Sequence, residues 1–263
     1  MTAGTPVVHR YGPGPDQFLE LTLPAGDGPA PVVVVLHGGF WRARYGIELA
    51  RPLAADLAAR GWAAVAVEYR RVGAGGGWPQ TLDDVAAALD ALPDVPGADR
   101  LDLRTVAVVG HSAGGHLAGW AAGRGRLPAG APGGQPRVAV TAAVLQAGVV
   151  DLAAAVAGHL GDGATEAFLG GRPQEVPERY RTADPVRLLP TGVPVLCVHG
   201  AADTTVPPEQ SERFVAAASD AGDEAELLVV PGDHMVVLDL TLPAWAETVG
   251  WLDAHRRRTT LGS

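Results

Sequence analysis

The sequence contains no lysine and no asparagine: all 20 of its basic residues are arginine. Without lysine there is no Schiff base, no pyridoxal phosphate anchor, no P-loop lysine and no Ser-Lys dyad. Without asparagine there is no N-glycosylation sequon and no Cys-His-Asn triad. The single cysteine, Cys197, excludes an internal disulfide and multi-cysteine zinc or iron-sulfur sites, and suits a reducing, cytoplasmic setting. No residues have metal-ligand spacing and no glycine-rich loop is built for phosphate, so neither metal nor cofactor is expected. There is also a single isoleucine, Ile47, beside abundant Ala, Gly and Arg, which points to a GC-rich coding bias rather than to the chemistry of a site.

What remains is an ordinary globular composition: 263 residues, 47% hydrophobic, 19% charged, with a net charge of -9. An acidic chain repels nucleic acid, and the one dense basic run, Arg256 to Arg258, reads as a solvated tail. The N-terminal residues show no basic segment followed by an apolar stretch, so no secretory signal is expected. The weakly polar stretch from Val138 to Leu160 is interrupted by Gln146, Gly148, Asp151 and His159, which argues against a membrane span.

Short Val-rich runs alternate with helical periodicity, the pattern of a parallel sheet covered by helices on both faces. Strands are expected at Pro31 to His37, Ala63 to Val67, Thr105 to Val109, Val138 to Ala147, Val193 to His199 and Glu226 to Val230. Phe18 to Leu23 alternates and reads as an antiparallel edge strand. Helices are expected at Ile47 to Arg60, Leu82 to Leu92, Ala113 to Ala122, Pro208 to Ala221 and Pro243 to Arg257. Glycine- and proline-rich stretches punctuate the chain without forming a linker, so residues 1–263 read as a single α/β domain. Residues 148–190 are too many for one crossover helix, and read either as a small cap over a pocket or as a surface excursion.

The strongest chemical signal is Gly110-His111-Ser112-Ala113-Gly114, at the junction of a strand and a helix. Such a G-x-S-x-G turn is so tight that its flanks must be nearly free of side chains, and it presents the serine at the carboxyl edge of the sheet. With 35 glycines and four serines in the chain, chance would produce the pattern about 0.07 times. A serine hydroxyl needs a base, and the base needs an orienter. Asp203 follows the strand ending at His199, and His234 follows the one ending at Val230, so Ser, Asp and His fall in α/β-hydrolase order. His37-Gly38-Gly39-Phe40-Trp41 ends another strand. Its glycines let the backbone approach the serine, so that an N–H of Gly39 or Phe40 joins that of Ala113 in an oxyanion site. His111 and His116 read as packing or hydrogen-bonding residues, and Cys197 as a buried apolar one. Trp41, Trp78 and Phe40 are candidates for a pocket wall, and Glu68-Tyr69-Arg70-Arg71 for a solvated loop with an ion pair.

The set HGGFW, GHSAGG, HGAAD and GDH resembles the α/β-hydrolase superfamily from about Pro31 to Arg257. HGGFW looks like the HGGxW signature of kynurenine formamidase and of bacterial feruloyl and acetyl esterases. It departs from the HGGG of hormone-sensitive-lipase-like esterases at Phe40. The resemblance implies Ser112 as nucleophile, Asp203 as orienter, His234 as base, and Gly38, Gly39 and Ala113 around the oxyanion. The expected activity is hydrolysis of a small ester, with arylformamidase or amidase activity as the alternative. Acyl transfer to an acceptor other than water, and a non-catalytic ligand-binding protein on the same scaffold, are the further alternatives. No motif specifies the oligomeric state.

Overall fold

The computed structural model describes residues 4–261. Eight strands form one sheet in the order β1-β2-β4-β3-β5-β6-β7-β8. They are β1 (Val7–Arg10), β2 (Phe18–Thr22), β3 (Ala30–Leu36), β4 (Ala63–Glu68), β5 (Leu101–His111), β6 (Ala142–Gln146), β7 (Val195–Gly200) and β8 (Ala225–Val230). From β4 to β8 every pairing is parallel, while β2 runs antiparallel to both β1 and β4.

The continuous apolar runs follow from a sheet buried on both faces. In β3, Val32, Val34 and Leu36 join one core, and Val33 and Val35 join the other. Successive side chains point to opposite faces, so neither position tolerates a polar residue. Helices α2 (Gln80–Asp90), α3 (Ala113–Gly123) and α7 (Glu209–Asp220) cover the first face, while α1 (Arg51–Ala59) and α8 (Pro243–Leu261) cover the second.

The structure differs from the sequence expectations in several places. Phe18–Thr22 is antiparallel as expected but is not an edge, because β1 pairs along it. Val7 and Val8 of β1 are 42% and 56% exposed, so β1 carries no burial pattern to read. The helix expected from Ile47 splits into a 3-10 turn, Ile47–Leu49, and α1, whose first turn accommodates Pro52 because its N–H would have no helical partner there. The strand expected from Val138 begins at Ala142, because the Arg137 and Val138 N–H groups are drawn away to Asp90 Oδ1 at 2.9 and 3.1 Å. Arg256, expected in a solvated tail, lies on α8 with its guanidinium 5.4 Å from the centre of the Trp62 ring.

Residues 148–190 fold as α4 (Leu152–Ala157), α5 (Ala164–Leu169), α6 (Pro177–Ala183) and a 3-10 turn. Their apolar side chains, Leu152, Ala155, Phe168, Leu169, Tyr180 and Ala183 among them, enter the first core.

The sheet order places a site. The chain leaves β3 for β4 on one side, then crosses back to β5 on the other. The loops after β3 and β5 therefore diverge and leave a crevice at the carboxyl edge, where open α/β sheets bind ligands. The β3 loop carries Gly38 and Gly39, and the β5 turn carries Ser112.

Candidate active site

Ser112 stands between the last residue of β5 and the first of α3, with φ 57° and ψ -118°. A non-glycine residue held in so sparsely populated a conformation costs about 1–3 kcal/mol and persists only where its surroundings enforce it. Here its N–H donates to the Gln146 carbonyl at 2.8 Å, and its carbonyl accepts from His116 N–H at 3.1 Å and Val149 N–H at 3.3 Å. The flanking glycines are sterically required. A Cβ on Gly110 would lie 2.0 Å from the Gly114 carbonyl oxygen, and one on Gly114 would lie 2.0 Å from that of Leu36.

Across the crevice, the β3 loop turns through three residues of positive φ: Gly39 at 112°, Phe40 at 50° and Trp41 at 55°. It presses on the elbow so closely that a Cβ on Gly38 would sit 3.1 Å from Ser112 Cβ. The Ala113 N–H, at the first turn of α3, carries the partial positive charge of a helix N-terminus.

A charged network lies beneath this loop. His37 Nε2 and Glu68 Oε1 are 2.9 Å apart, and the Tyr69 hydroxyl donates to the His37 carbonyl at 2.6 Å. Glu68 also accepts from the N–H groups of Ile47 and Tyr69 at 3.0 Å each, and Arg71 pairs with both Glu68 and Asp16. Burial raises the Glu68 carboxyl, but the His37 contact, the Ile47 N–H and Arg71 outweigh it and leave the group below its ordinary value. Glu68-Tyr69-Arg70-Arg71 is thus not the solvated loop expected of it: Glu68, Tyr69 and Arg71 are buried, and they anchor the strand end that launches the glycine loop.

Asp203 and His234 meet from the ends of β7 and β8. Asp203 Oδ2 lies 2.6 Å from His234 Nδ1, and Oδ1 accepts the N–H groups of Thr205 and Val206 at 2.8 and 2.9 Å. His199 Nε2 approaches Oδ2 at 3.2 Å. Burial alone would raise this carboxyl, but hydrogen bonds from His199, His234 and the Val206 N–H hold it well below the usual carboxylate range. Asp203 is therefore an anion throughout the neutral range, poised to orient an imidazole.

Ser112, His111 and His234 line one cavity of about 170 Å³, with Gly39, Phe40, Tyr45, Leu49, Thr205, Met235 and Leu238. His111 Nε2–H donates to the His234 carbonyl at 2.9 Å, and the two rings lie 4.5 Å apart. Burial, then the neighbouring His234, push His111 down to about 3, so it stays neutral. Larger hollows of about 330 and 310 Å³ lie between α4 and α7 and beside β2 and α1, with none of these site residues in their walls.

Of the aromatic candidates, Phe40 borders the cavity. Trp41 does not. It is fully enclosed beneath the loop, stacked on Phe168 with ring centres 4.6 Å apart. Trp78 lies under the Arg179 guanidinium, away from the cavity wall. Among the described residues none of the segment 148–190 lines the cavity, but the segment packs against the β3 loop: a Cβ on Gly161 would lie 2.6 Å from the Phe40 ring, and Phe168 stacks on Trp41. Tyr45, Leu49, Thr205, Met235 and Leu238, together with the supports Glu68 and His199, carry no motif and were not visible as site residues in the sequence.

The sequence pattern of the family described as BD-FAE matches residues 19–217, which include the β3 loop, the Ser112 elbow and Asp203. The chain belongs to the BD-FAE family. The family match ends before His234, so the contact between His234 and Asp203 is supplied by the structure. Among curated proteins, Esterase LipC of Mycobacterium tuberculosis (strain ATCC 25618 / H37Rv) is 32% identical over 230 residues, 79% of this chain and 54% of LipC. Esterase LipQ of the same organism is 31% identical over 224 residues, 81% of this chain and 52% of LipQ. This BD-FAE chain spans about half the length of these curated relatives. A truncated carbohydrate esterase from gut microbiota superposes with a TM-score of 0.82 at 22% identity, covering 97% of this chain and 96% of that one. Esterase B of Lactobacillus rhamnosis gives 0.81 at 21% identity, covering 100% and 91%. At such identity the likeness concerns the fold, which is that of the α/β-hydrolases. Among the described residues no helix is long and apolar enough to cross a membrane.

Proposed function

We propose that this BD-FAE member is a serine hydrolase of small carboxylic esters. The observation that carries the reading is the Asp203–His234 contact of 2.6 Å on the rim of the same cavity that Ser112 enters from its strained elbow. Two curated relatives named esterases support it. In the proposed reaction His234 takes the Ser112 proton as Oγ attacks the ester carbonyl carbon. The resulting oxyanion accepts hydrogen bonds from Ala113 N–H and from Gly39 or Phe40 N–H. The tetrahedral intermediate collapses, the alcohol leaves with the proton from His234, and water then releases the acid from the acyl-enzyme by the same steps. Among the described residues no hydrogen bond yet joins Ser112 Oγ to His234, and such contacts commonly close only as substrate enters.

A cavity of about 170 Å³ is below the roughly 300–1,000 Å³ of drug-sized sites and favours a short acyl group. The described chain acts as one unit in this reading, since β7 and β8, which follow the segment 148–190, extend the sheet that carries Ser112. The formamide alternative rested on HGGFW, and the proximity of esterases among the relatives does not extend to it.

Ser112→Ala is expected to lower p-nitrophenyl acetate turnover by about 10⁴–10⁶-fold with the fold retained by circular dichroism. A fluorophosphonate probe is expected to label the wild type and not the variant. Undiminished turnover, or labelling that survives the substitution, overturns the assignment. N-formylkynurenine assayed beside the ester series gives the competing outcome: faster cleavage of the formamide would make the enzyme an amidase.

A further inference from the structure

The conformation of the β3 loop requires a cause. Phe40 and Trp41 both adopt positive φ, which costs about 1–3 kcal/mol for each such residue unless the surroundings impose it. The glycines before them explain the tight turn but cannot hold it. What holds Trp41 lies on other elements. Its ring stacks on Phe168 of α5 at 4.6 Å and 16°. Its indole N–H donates to His116 Nδ1 at 3.2 Å, and its carbonyl accepts from Val72 N–H at 2.8 Å.

His116 lies on α3, one turn beyond Ser112, and is fully buried. Its Nε2 lies 2.9 Å from the carbonyl oxygen of Ala183, at the end of α6. A carbonyl can only accept, so Nε2 carries the proton, and Nδ1 is left with the lone pair that the indole N–H requires. Both ring nitrogens are thereby used in one tautomer. Burial pushes His116 down to about 4, which keeps it neutral at working pH; a second proton on Nδ1 would remove the acceptor.

We infer that His116 is a positioning residue that clamps the β3 loop, through the Trp41 indole, to the nucleophile helix and to the end of α6. The loop N–H groups of Gly39 and Phe40 then stand at a fixed offset from Ser112, and the segment 148–190 serves the site by bracing it from behind. The inference rests on the serine-hydrolase reading, because it assigns the clamp to the placement of oxyanion donors.

The test uses Trp41→Phe, which keeps the ring on Phe168 and deletes the donor, with His116→Leu and His116→Asn, the last retaining an acceptor near the Nδ1 position. Displacing an oxyanion donor by an ångström costs about 10- to 100-fold. Trp41→Phe and His116→Leu are therefore expected to lower kcat for p-nitrophenyl acetate by that factor with KM within about twofold. Their affinity for a trifluoromethyl ketone, which forms an oxyanion on Ser112, should fall in step. The double variant is expected to be no worse than the weaker single one, as for two halves of one contact, and His116→Asn is expected to recover most of the rate. A kcat unchanged in Trp41→Phe, a loss borne by KM alone, or strictly additive losses in the double variant overturns the clamp. Ser112→Ala with full turnover would instead remove the underlying hydrolase reading, so the two failures are separable.

Discussion

Asp203 holds its charge where burial opposes it, and the geometry explains how. Two backbone N–H groups and two imidazoles surround one carboxylate, and their combined pull exceeds the desolvation cost. A group whose folded pKa is depressed adds stability above its unfolded value and loses it as pH falls through the folded one. Asp203 thus stays ionised through the whole range in which an ester assay is run. Asp203→Asn keeps the shape but removes the anion that fixes the His234 tautomer. Its kcat is expected to fall about 10³–10⁴-fold with little change in KM, and stopped-flow acylation with p-nitrophenyl acetate checks this. Retention of more than a tenth of the wild-type rate would show that another group orients His234. Asp203 and His234 were legible in sequence because each follows a Val-rich strand within a few residues. His199 was not, since its contacts with Asp203, Val206 and Ser211 depend on how the β7 loop folds back.

Among the elements, the junction of β5 and α3 has the least tolerance. The added methyl of Gly114→Ala would lie 2.0 Å from the Leu36 carbonyl oxygen, a distance that no rotamer relieves because the backbone fixes the Cβ and the partner is itself a backbone atom. The β3 loop and the elbow would have to separate. Gly114→Ala is expected to lower the thermal midpoint by several degrees and ester turnover by more than about 100-fold, read by differential scanning fluorimetry alongside the assay. A native midpoint and rate would mean that the two elements are less tightly apposed than described. By contrast Gly125, where an added Cβ meets nothing within 4 Å, supplies a control for the handling of the variants. The segment 148–190 illustrates what length and breakers alone leave open. They correctly marked a departure from simple βαβ order, but whether such a segment covers a site or packs beside it depends on where Phe168, Leu169 and Tyr180 find their core.

For the whole molecule, the joint between that segment and the sheet has its own electrostatic signature. Asp184 follows α6, is fully buried, and accepts the Leu152 N–H at 3.0 Å through Oδ1. Among the described residues its Oδ2 lacks a hydrogen-bond partner of ordinary geometry; Asp151 repels it from the start of α4, while Arg187, 3.7 Å away on the exposed side, and the Ala153 N–H favour its charge. Burial pushes the group up to about 7. With the folded value above the unfolded one near about 3.9, the folded state binds the extra proton between them, so this group's contribution to stability falls as pH rises from about 4 to 7 and is level above. Asp184→Asn keeps the Oδ1 acceptor and cannot ionise. Its thermal midpoint is expected to gain on the wild type by about 5 °C between pH 5 and 8, and parallel melting curves for the two proteins across that range would refute the assignment.

The sequence by itself determined the layered sheet, the order of its parallel strands and helices along the chain, and the tight strand-to-helix turn at Ser112, because these depend on local rules. A buried strand must be apolar without interruption, and a strand that turns into a helix around an exposed serine must have glycines beside it. It also carried Asp203 and His234 as far as the correct sheet edge. Only the tertiary structure decided what supports them. The pairing of His37 with Glu68, of Trp41 with His116 and of His116 with Ala183 joins residues 31, 75 and 67 positions apart. No local pattern encodes such contacts, because their strength depends on excluding water, and water is excluded only once the separate elements have packed together.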